Sequence, residues 1–273
     1  MNQEMIMDFN AHLGNYPFRR LKYNTPQGLL GLMDKVGVDK ALVSRFEAIF
    51  YKDWLEANRM LLEDLESLRS RLIPCVTVNP KFPGWTMDLE DCIREAAAVR
   101  VYPNYHGYKL GDSAFDDLVE AASSRGIPVI VTVRIQDERS HPWFLKISPV
   151  DLAHVLDAAE RHPEVDFVIC NAYLNDVLTV RREIARLENV YVELSFILTV
   201  TLNSVERLTE EIGAEKLLLG TYMPFFYPQC AINRVKKAEI NEEERELILW
   251  RNASRLLGRI RGGSLSERRR GQP

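Results

Sequence analysis

The chain has 273 residues, of which 46% are hydrophobic and 27% charged, so it can bury a large core and lacks the composition of a disordered protein. Its 35 basic and 39 acidic side chains give a formal charge of -4, which provides no overall basic field for a nucleic acid partner. The sequence has neither a run of about 18 apolar residues nor the N-terminal pattern of a signal peptide. We therefore expect a cytoplasmic protein without a membrane span.

The four cysteines are widely spaced and form no C-x-x-C pattern. They are Cys75, Cys92, Cys170 and Cys230. In apolar or helical surroundings a reduced thiol packs as a small hydrophobic group. We therefore expect neither disulfide bonds nor a zinc site built from cysteine.

The first predicted element is a strand that begins at Met5 and ends at His12, directly before Leu13 and Gly14. Side chains in a strand alternate between two faces, so the spacing predicts that Asp8, Asn10 and His12 point the same way. A polar strand end that carries an imidazole is a candidate site. The alternative is an edge strand whose polar face is merely solvated.

Strand and helix patterns then alternate along the rest of the chain. The predicted strands that follow the first are Asp39–Phe46, Leu72–Val78, Val99–Tyr102, Pro128–Val133, Asp166–Cys170, Val190–Leu194 and Lys216–Leu219. The predicted helices are 25–37, Tyr51–Arg69, Asp88–Ala97, 112–124, 148–162, Asn175–Leu187, Asn203–Gly213 and Asn241–Leu257. Thr25-Pro26 and Gly37 mark the two ends of the first helix, and Asn203-x-x-Glu206 and Asn241-x-x-Glu244 have the capping-box spacing.

Eight strand–helix cycles in a chain near the roughly 250 residues usual for the architecture predict a (β/α)8 TIM barrel, an α/β fold. A doubly wound open sheet is the alternative, but it normally has fewer strands, and no G-x-G-x-x-G follows a strand here. We expect one domain over residues 1–261. Residues 262–273 are polar without apolar periodicity, which predicts a disordered tail with solvated arginines.

The active site of such a barrel lies at the carboxyl ends of its strands, and here these ends are unusually polar. Their polar residues include Asn10, His12, Arg45, Glu47, Asn79, Tyr102, His106, Thr132, Arg134, Asn171, Glu193, Ser195, Thr221 and Tyr222. Any one of them alone is more often a capping or loop residue than a functional one. Their convergence on one rim favours a site.

Several of these segments also resemble motifs of the amidohydrolase superfamily, in particular the amidohydrolase 2 branch with the aminocarboxymuconate semialdehyde decarboxylase relatives. The N-terminal stretch from Asp8 to Gly14 resembles the family's D-x-H-x-H-x-G motif. The other similar segments are Pro128–Thr132, Val168–Asn171, Gly220–Pro224 and Arg251–Gly258, so that the resemblance covers residues 5 to 259. It implies a metal-dependent-hydrolase-like barrel with hydrolase or decarboxylase activity.

The resemblance also implies a metal site, with ligands after strands one, five, six and eight. The corresponding residues of this chain are Asn10, His12, Thr132, Asn171 and Tyr222, of which only His12 keeps a typical ligand type. A catalytic zinc ion needs about three protein ligands, so one histidine does not hold it. A divalent metal is therefore not favoured. A relocated site is left open, with Glu47, His106, Asp137, Glu138, His141 and Glu193 as its candidate ligands.

The first functional hypothesis is a hydrolase or lyase that attacks a carbonyl group of a small, carboxylate-bearing molecule without the family's metal. His12 would exchange protons, because imidazole titrates near neutral pH. Asn10, Asn171 and Tyr222 would donate hydrogen bonds to a developing oxyanion. The predicted substrate-binding residues are Arg45 and Arg134 for the carboxylate, together with Glu47, His106 and Glu193.

Two other hypotheses are open. One is a non-catalytic barrel, derived from an amidohydrolase, that binds a small molecule through the same polar rim. In the other, the polar residues only satisfy backbone groups at the strand ends, and no ligand binds. An open pocket lined by His12, Arg134 and Tyr222 would favour a ligand, whereas aromatic side chains such as Phe225, Phe226 or Tyr227 over the strand ends would favour the last hypothesis. A homo-oligomer is possible under all three.

Overall fold

The architecture comes from a computed structural model in which residues 5–51, 53–197 and 202–262 are described. Parallel strands form one sheet in the order β1-β2-β3-β4-β5-β6-β7-β8. They are β1 Met7–Leu13, β2 Lys40–Arg45, β3 Leu72–Thr77, β4 Ala98–Val101, β5 Val129–Thr132, β6 Phe167–Cys170, β7 Val190–Glu193 and β8 Leu217–Leu218. Each strand pairs with the next in parallel register.

The sheet closes on itself between its first and last strands. The Phe9 amide donates to the Leu219 carbonyl at 2.8 Å, and the His12 amide donates to the Met223 carbonyl at 2.9 Å. Closure removes the sheet edges, which distinguishes a barrel from a doubly wound open sheet. The predicted (β/α)8 TIM barrel is therefore confirmed.

Helices follow the strands and surround the barrel. They are α1 Pro26–Val36, α2 Glu47–Phe50, α3 Trp54–Leu65, α4 Trp85–Ile93, α5 Pro103–His106, α6 Ser113–Ser123, α7 Leu152–Arg161, α8 Leu174–Thr179, α9 Arg181–Arg186, α10 Ser204–Ile212, α11 Pro228–Lys236, α12 Glu242–Glu246 and α13 Asn252–Gly262. Short 3-10 turns cover Glu138–Ser140 and Ala214–Lys216, and a π-helical stretch, Leu247–Arg251, joins α12 to α13. The predicted final helix thus contains three successive segments.

Local capping signals explain where several helices begin and end. The Thr25 hydroxyl accepts from the Gly28 amide at 3.2 Å, and Gly37 ends α1 with a φ of 74°. Asn241 and Glu244 form the predicted capping box at α12. Asn203 does not form one, because its backbone is left-handed, with a φ of 53°, and its side chain makes no capping bond.

The core is built in layers. Valines and other apolar residues on one face of each strand pack against the helices, and those on the other face fill the barrel interior. The interior cluster contains Met7, Phe9, Leu42, Cys75, Ala98, Ile130, Val168, Cys170, Tyr191 and Leu218, and α13 closes it with Ala253, Leu256 and Leu257. The interior is thus apolar at this end, and its polar residues lie towards the carboxyl ends of the strands.

The first strand departs from regular alternation. Its pairing with β2 shifts register between Asp8 and Ala11. Met7 and Phe9 pack inside the barrel, whereas Ala11 packs in the outer layer, so the inward parity changes along β1. A β-bulge has this effect because it inserts one extra residue between paired positions. The prediction that Asp8 shares a face with Asn10 and His12 is therefore wrong.

The structure also bears on the expectations for the cysteines, for the C-terminal residues and for a membrane span. Cys75, Cys92 and Cys170 are buried free thiols and Cys230 is an exposed one, as expected. Gly262 belongs to α13, while residues 263–273 of the predicted disordered tail lie outside the described residues. Among the described helices, none has the length and apolar character that a membrane span requires.

Candidate functional site

A buried arginine lies in the barrel interior above the apolar layer. In β4, Val99 and Val101 pack in the outer layer and Ala98 packs in the interior cluster. Because strand side chains alternate, Arg100 also points into the barrel, and none of its surface is exposed. A fully buried guanidinium needs compensating hydrogen bonds or charges.

The Arg100 guanidinium is bonded to three neutral oxygens, which come from β2, β1 and β5. Its Nε donates to Ser44 Oγ at 3.0 Å, and its Nη1 donates to Asn10 Oδ1 at 3.0 Å and to Thr132 Oγ1 at 3.3 Å. Its Nη2 is buried and has no hydrogen-bond partner among the described residues. The N–H groups of Nη2 are therefore free to donate hydrogen bonds to a ligand inside the barrel.

Asn10 connects this cation to a buried carboxylate. Its Nδ2 donates to Glu193 Oε2 at 2.9 Å, to Asn171 Oδ1 at 2.8 Å and to Ser195 Oγ at 3.2 Å. The Ser195 hydroxyl also donates to Glu193 Oε2 at 2.9 Å. An amide therefore bridges Arg100 and Glu193, and these residues form one polar network.

Glu193 holds its proton more tightly than an ordinary carboxyl group. Complete burial raises its pKa from 4.5 to about 7, although hydrogen bonds from the Ser195 side chain and amide act in the opposite direction. The nearby Asp8 carboxyl raises the pKa further. Burial also raises the pKa of Asp8 itself, which accepts from the Thr221 amide at 3.0 Å and from the Asn10 amide at 2.9 Å.

His12 lies beside this network and is fully buried. Its ring stacks on Phe46 with centroids 4.5 Å apart, and its Nε2 is 3.4 Å from the Tyr102 hydroxyl. Its Nδ1 is buried without a partner among the described residues. Burial, followed by the positive charge of Arg100, lowers its pKa well below the usual 6.5, so the imidazole is neutral at pH 7.

Aromatic side chains cover the strand ends above His12. We call this group the aromatic cover; it consists of Tyr16, Phe46, Phe196, Tyr222, Phe225 and Phe226. All but Phe226 are buried, while Tyr227, which follows them, is 85% exposed. Four surface cavities of about 330 to 450 Å³ are lined by other parts of the described chain, not by His12 or Tyr222. His12 and Tyr222 are themselves fully buried, so within the described part of the chain the aromatic cover shields His12 from solvent.

The other predicted hydrogen-bond donors make backbone contacts. The Tyr222 hydroxyl donates to the Ile135 carbonyl at 2.8 Å, and Asn171 Nδ2 donates to the Arg134 carbonyl at 2.7 Å. Both residues have left-handed backbones, with φ values of 55° and 61° respectively. Such contacts are what the third hypothesis expects of strand-end residues, and Tyr222 also places its ring 5.1 Å from that of His12.

The predicted carboxylate-binding arginines are already in ion pairs. Arg45 Nε contacts Glu47 Oε2 at 3.2 Å, and its Nη1 pairs with Asp64. Arg134 contacts Glu138 at 3.1 Å and Asp176 at 2.6 Å, with its guanidinium 4.0 Å above the Tyr173 ring. Glu47 also accepts from the Asn15 amide at 2.7 Å.

His106 packs under the same rim. It ends α5, and its ring centroid lies 5.9 Å from that of Tyr102. Burial lowers its pKa to about 4, partly offset by bonds to the carbonyls of Ile49, Ala48 and Val78. Nδ1 of this ring is buried without a hydrogen-bond partner among the described residues, and substrate binding by His106 stays a prediction.

The residues at the family's metal positions do not suit a divalent cation. They offer one imidazole, two amides, a threonine hydroxyl and a tyrosine hydroxyl, and Asn10 and Thr132 direct their oxygens at the Arg100 cation. Zinc instead requires about three imidazole, thiolate or carboxylate ligands. Among the described residues, no group of three or more His, Cys, Asp and Glu side chains has the geometry to hold a metal, so the relocated site is not formed either.

The structure therefore brings together Asn10, His12, Asn171 and Glu193 of the predicted site, with Tyr222 in the cover above them. Arg45, Glu47, His106 and Arg134 lie in separate contacts around the rim. The sequence analysis missed Arg100. Its signal was a lone charge between two valines in a short buried strand, at the inward position of a barrel strand.

Known structures share this architecture at low sequence identity. A 2,6-dihydroxybenzoate decarboxylase from Rhizobium is 16% identical over 94% of this chain and 99% of its own, with a TM-score of 0.72. A 4-oxalomesaconate hydratase from Rhodopseudomonas palustris is 16% identical over 94% and 97%, with a TM-score of 0.66. A dihydroxybenzoic acid decarboxylase from Polaromonas, solved with bound manganese, is 16% identical over 93% and 97%, with a TM-score of 0.73.

These structural likenesses establish the fold. No curated protein matches the sequence at a significant level. A family model described as amidohydrolase, a family of enzymes, matches residues 7–259, which is nearly the whole chain. The resemblance over residues 5 to 259 is thereby confirmed, and the chain belongs to the amidohydrolase family.

Proposed function

We propose that the protein is a hydrolase or lyase that acts on a carbonyl group of a small, carboxylate-bearing molecule at the centre around His12, without the family's metal. Family membership supports the enzyme class. The structural neighbours include decarboxylases and a hydratase, whose names refer to carboxylate compounds. The centre around His12 lies at the carboxyl ends of the barrel strands, where TIM-barrel enzymes carry their active sites.

One observation carries the proposal: His12 Nδ1 and Arg100 Nη2 are both fully buried polar atoms without partners in the described structure. Leaving a buried polar group unpaired costs about 1 to 3 kcal/mol, and more when the group is charged. The surrounding polar groups of Asn10, Glu193 and Ser195 are all bonded. Because these two atoms border that bonded network and their side chains interact electrostatically, we infer that a ligand binds beside them.

The two side chains suit different tasks. A neutral His12 has one ring nitrogen that accepts a proton from a water molecule or from the substrate. The charge of Arg100 stabilises a negative oxygen beside it, because electrostatic interactions are strong where water is excluded. Asn10 and Glu193 position Arg100 and do not need to touch the substrate.

The test is a panel of lactones, esters and aromatic and aliphatic carboxylates, assayed with and without a chelator. We expect turnover that the chelator leaves unchanged and that His12→Gln lowers by about 100-fold or more. The matched control is His154→Gln on α7, an exposed histidine outside the site. Turnover that the chelator abolishes and added zinc restores would refute the metal-free proposal.

A second candidate, a non-catalytic small-molecule-binding barrel, is favoured by the aromatic cover. His12 and Tyr222 are fully buried, and the Phe225 side chain is 6% exposed, so a substrate reaches His12 only if the cover moves. An enzyme needs the aromatic cover to open in every catalytic cycle, whereas a binding protein needs it to open only when the ligand enters or leaves. Saturable binding of a panel compound, with no product formed in the presence or absence of added metals, would select this candidate.

A further inference from the structure

We propose that the Arg100 guanidinium takes the place of the divalent metal ion in this barrel and acts as a built-in fixed cation. Its unpaired Nη2 then receives a carboxylate of the ligand. The replacement of the metal stands independently of any reaction, whereas the ligand's carboxylate rests on the proposed function.

The position of the guanidinium supports the replacement. Arg100 Nη1 is bonded to Asn10 Oδ1 and Thr132 Oγ1, and these two residues stand at positions that hold metal ligands in the family motif. Ser44 Oγ completes a set of three neutral oxygens around the cation. A guanidinium only donates hydrogen bonds, so it pairs well with amide and hydroxyl oxygens. A zinc site would instead have imidazole nitrogens at these positions.

The charges lead to the same conclusion. Arg100 is fully buried and bonded to neutral groups, and burial raises the pKa values of both Glu193, which is linked to it through Asn10, and Asp8. A divalent ion among the same oxygens would add two positive charges next to Arg100, in a region without the solvent screening that weakens repulsion. The arginine and a divalent ion therefore exclude each other.

The ligand's chemistry follows from the remaining donor. Arg100 Nη2 on β4 has no hydrogen-bond partner among the described residues, and neither has His12 Nδ1 on β1. A carboxylate accepts charge-assisted hydrogen bonds from a guanidinium more strongly than a neutral carbonyl group does. We expect the anionic form of a carboxylic acid to bind, and its neutral amide to bind poorly.

The first experiment asks whether Arg100 keeps a metal out. The double variant Asn10→His/Thr132→His provides three imidazoles with His12, and a triple variant adds Arg100→Met. After equilibration with buffered zinc and desalting, we expect about one zinc ion per chain in the triple variant and almost none in the double variant. As a control for size, the double variant combined with Arg100→Lys keeps the charge and should also exclude zinc.

The outcome is clear in both directions. Equal zinc in the double and triple variants would overturn the proposal, as would one equivalent of metal in the wild-type protein that Arg100→Met removes. Thermal unfolding establishes that each variant is folded. If Arg100→Met does not fold, Arg100→Ala is purified with methylguanidinium; the proposal requires this compound, and not zinc, to raise the unfolding temperature of Arg100→Ala more than that of the wild type.

The second experiment compares benzoate with benzamide by isothermal titration calorimetry. We expect benzoate to bind the wild type at least about tenfold more tightly, and Arg100→Lys to weaken benzoate binding while leaving benzamide unchanged. Equal affinities would overturn the carboxylate assignment. Absence of turnover on every substrate, with the zinc and benzoate results as expected, would reject the proposed function and leave the role of Arg100 intact.

Discussion

Asn10 links two buried ionisable side chains of the barrel, because its amide oxygen accepts from Arg100 and its amide nitrogen donates to Glu193. The sequence analysis predicted Asn10, His12 and Glu193 as site residues from their places at strand ends. It did not predict their partners, since Arg100 is 90 residues from Asn10 and Glu193 is 183 residues from it. Which strand-end groups pair is decided by the barrel.

At the residue scale, the raised pKa of Glu193 makes stability depend on pH. Between pH 4.5 and about 7 the folded state keeps a proton that the unfolded state releases, so this group's contribution is complete below pH 4.5 and is lost as the pH rises through 7. The loss is about 3 kcal/mol. The difference in free energy of unfolding, Glu193→Gln minus wild type, should therefore increase by about this amount from pH 4.5 to pH 8, because only the wild type loses stability as Glu193 ionises.

Urea unfolding of both proteins at the two pH values measures this difference. The matched control is Glu210→Gln, an exposed carboxylate on α10, which should change stability by no more than about 0.5 kcal/mol. A Glu193→Gln effect that is the same at both pH values would show that Glu193 is ionised throughout this range.

At the scale of elements, the strands were predicted better than the helices. Buried strands such as β5 and β6 were recognised because their apolar runs end at polar or turn residues. Helix α11, Pro228–Lys236, was missed, and Asn203 did not act as the predicted capping residue. Short helices on loops depend on tertiary contacts more than on propensity, so their local pattern is weak.

The close approach of Gly220, just after β8, to Glu193 leads to a prediction at this scale. A Cβ atom on Gly220 would lie 1.7 Å from Glu193 Oε1 and 2.3 Å from its Cδ, and hydrogen bonds hold this carboxyl group in place. We therefore expect Gly220→Ala to lower the free energy of unfolding by about 1 to 3 kcal/mol, as for other overpacked sites.

The matched control is Gly31→Ala in α1, where an added Cβ meets no atom within 4 Å. This substitution should raise stability by about 0.5 to 1 kcal/mol, because alanine favours a helix more than glycine does. Denaturant unfolding measures both variants. If Gly220→Ala were as stable as the wild type, Glu193 would have to be free to move away.

At the scale of the whole molecule, the barrel interior is packed with apolar side chains at the end covered by α13 and is polar at the carboxyl ends of the strands. Helix α13 places Ala253, Leu256 and Leu257 against the apolar interior cluster. The predicted single domain over residues 1–261 requires this closure to unfold together with the strands. The expected homo-oligomer and the exclusion of nucleic acid stay predictions.

Removing the α13 closure tests this cooperation. Leu256 is 1% exposed, so Leu256→Ala should cost about 2 to 5 kcal/mol, while Leu202→Ala, at a side chain that is 86% exposed, should cost less than about 0.5 kcal/mol. Circular dichroism and tryptophan fluorescence should report one coincident transition for each protein. Two separate transitions would contradict a single cooperative domain.

The sequence by itself determined the strand–helix alternation, the barrel class and the resemblance to the family, because each of these follows from local pattern or from residue type. The tertiary structure alone decided that β1 changes parity at a bulge, that Arg100 is bonded to Asn10 and Thr132 inside the barrel, and that aromatic side chains cover His12. Closure of the barrel brings distant strand ends within hydrogen-bonding distance, and no local pattern specifies which of their side chains then meet.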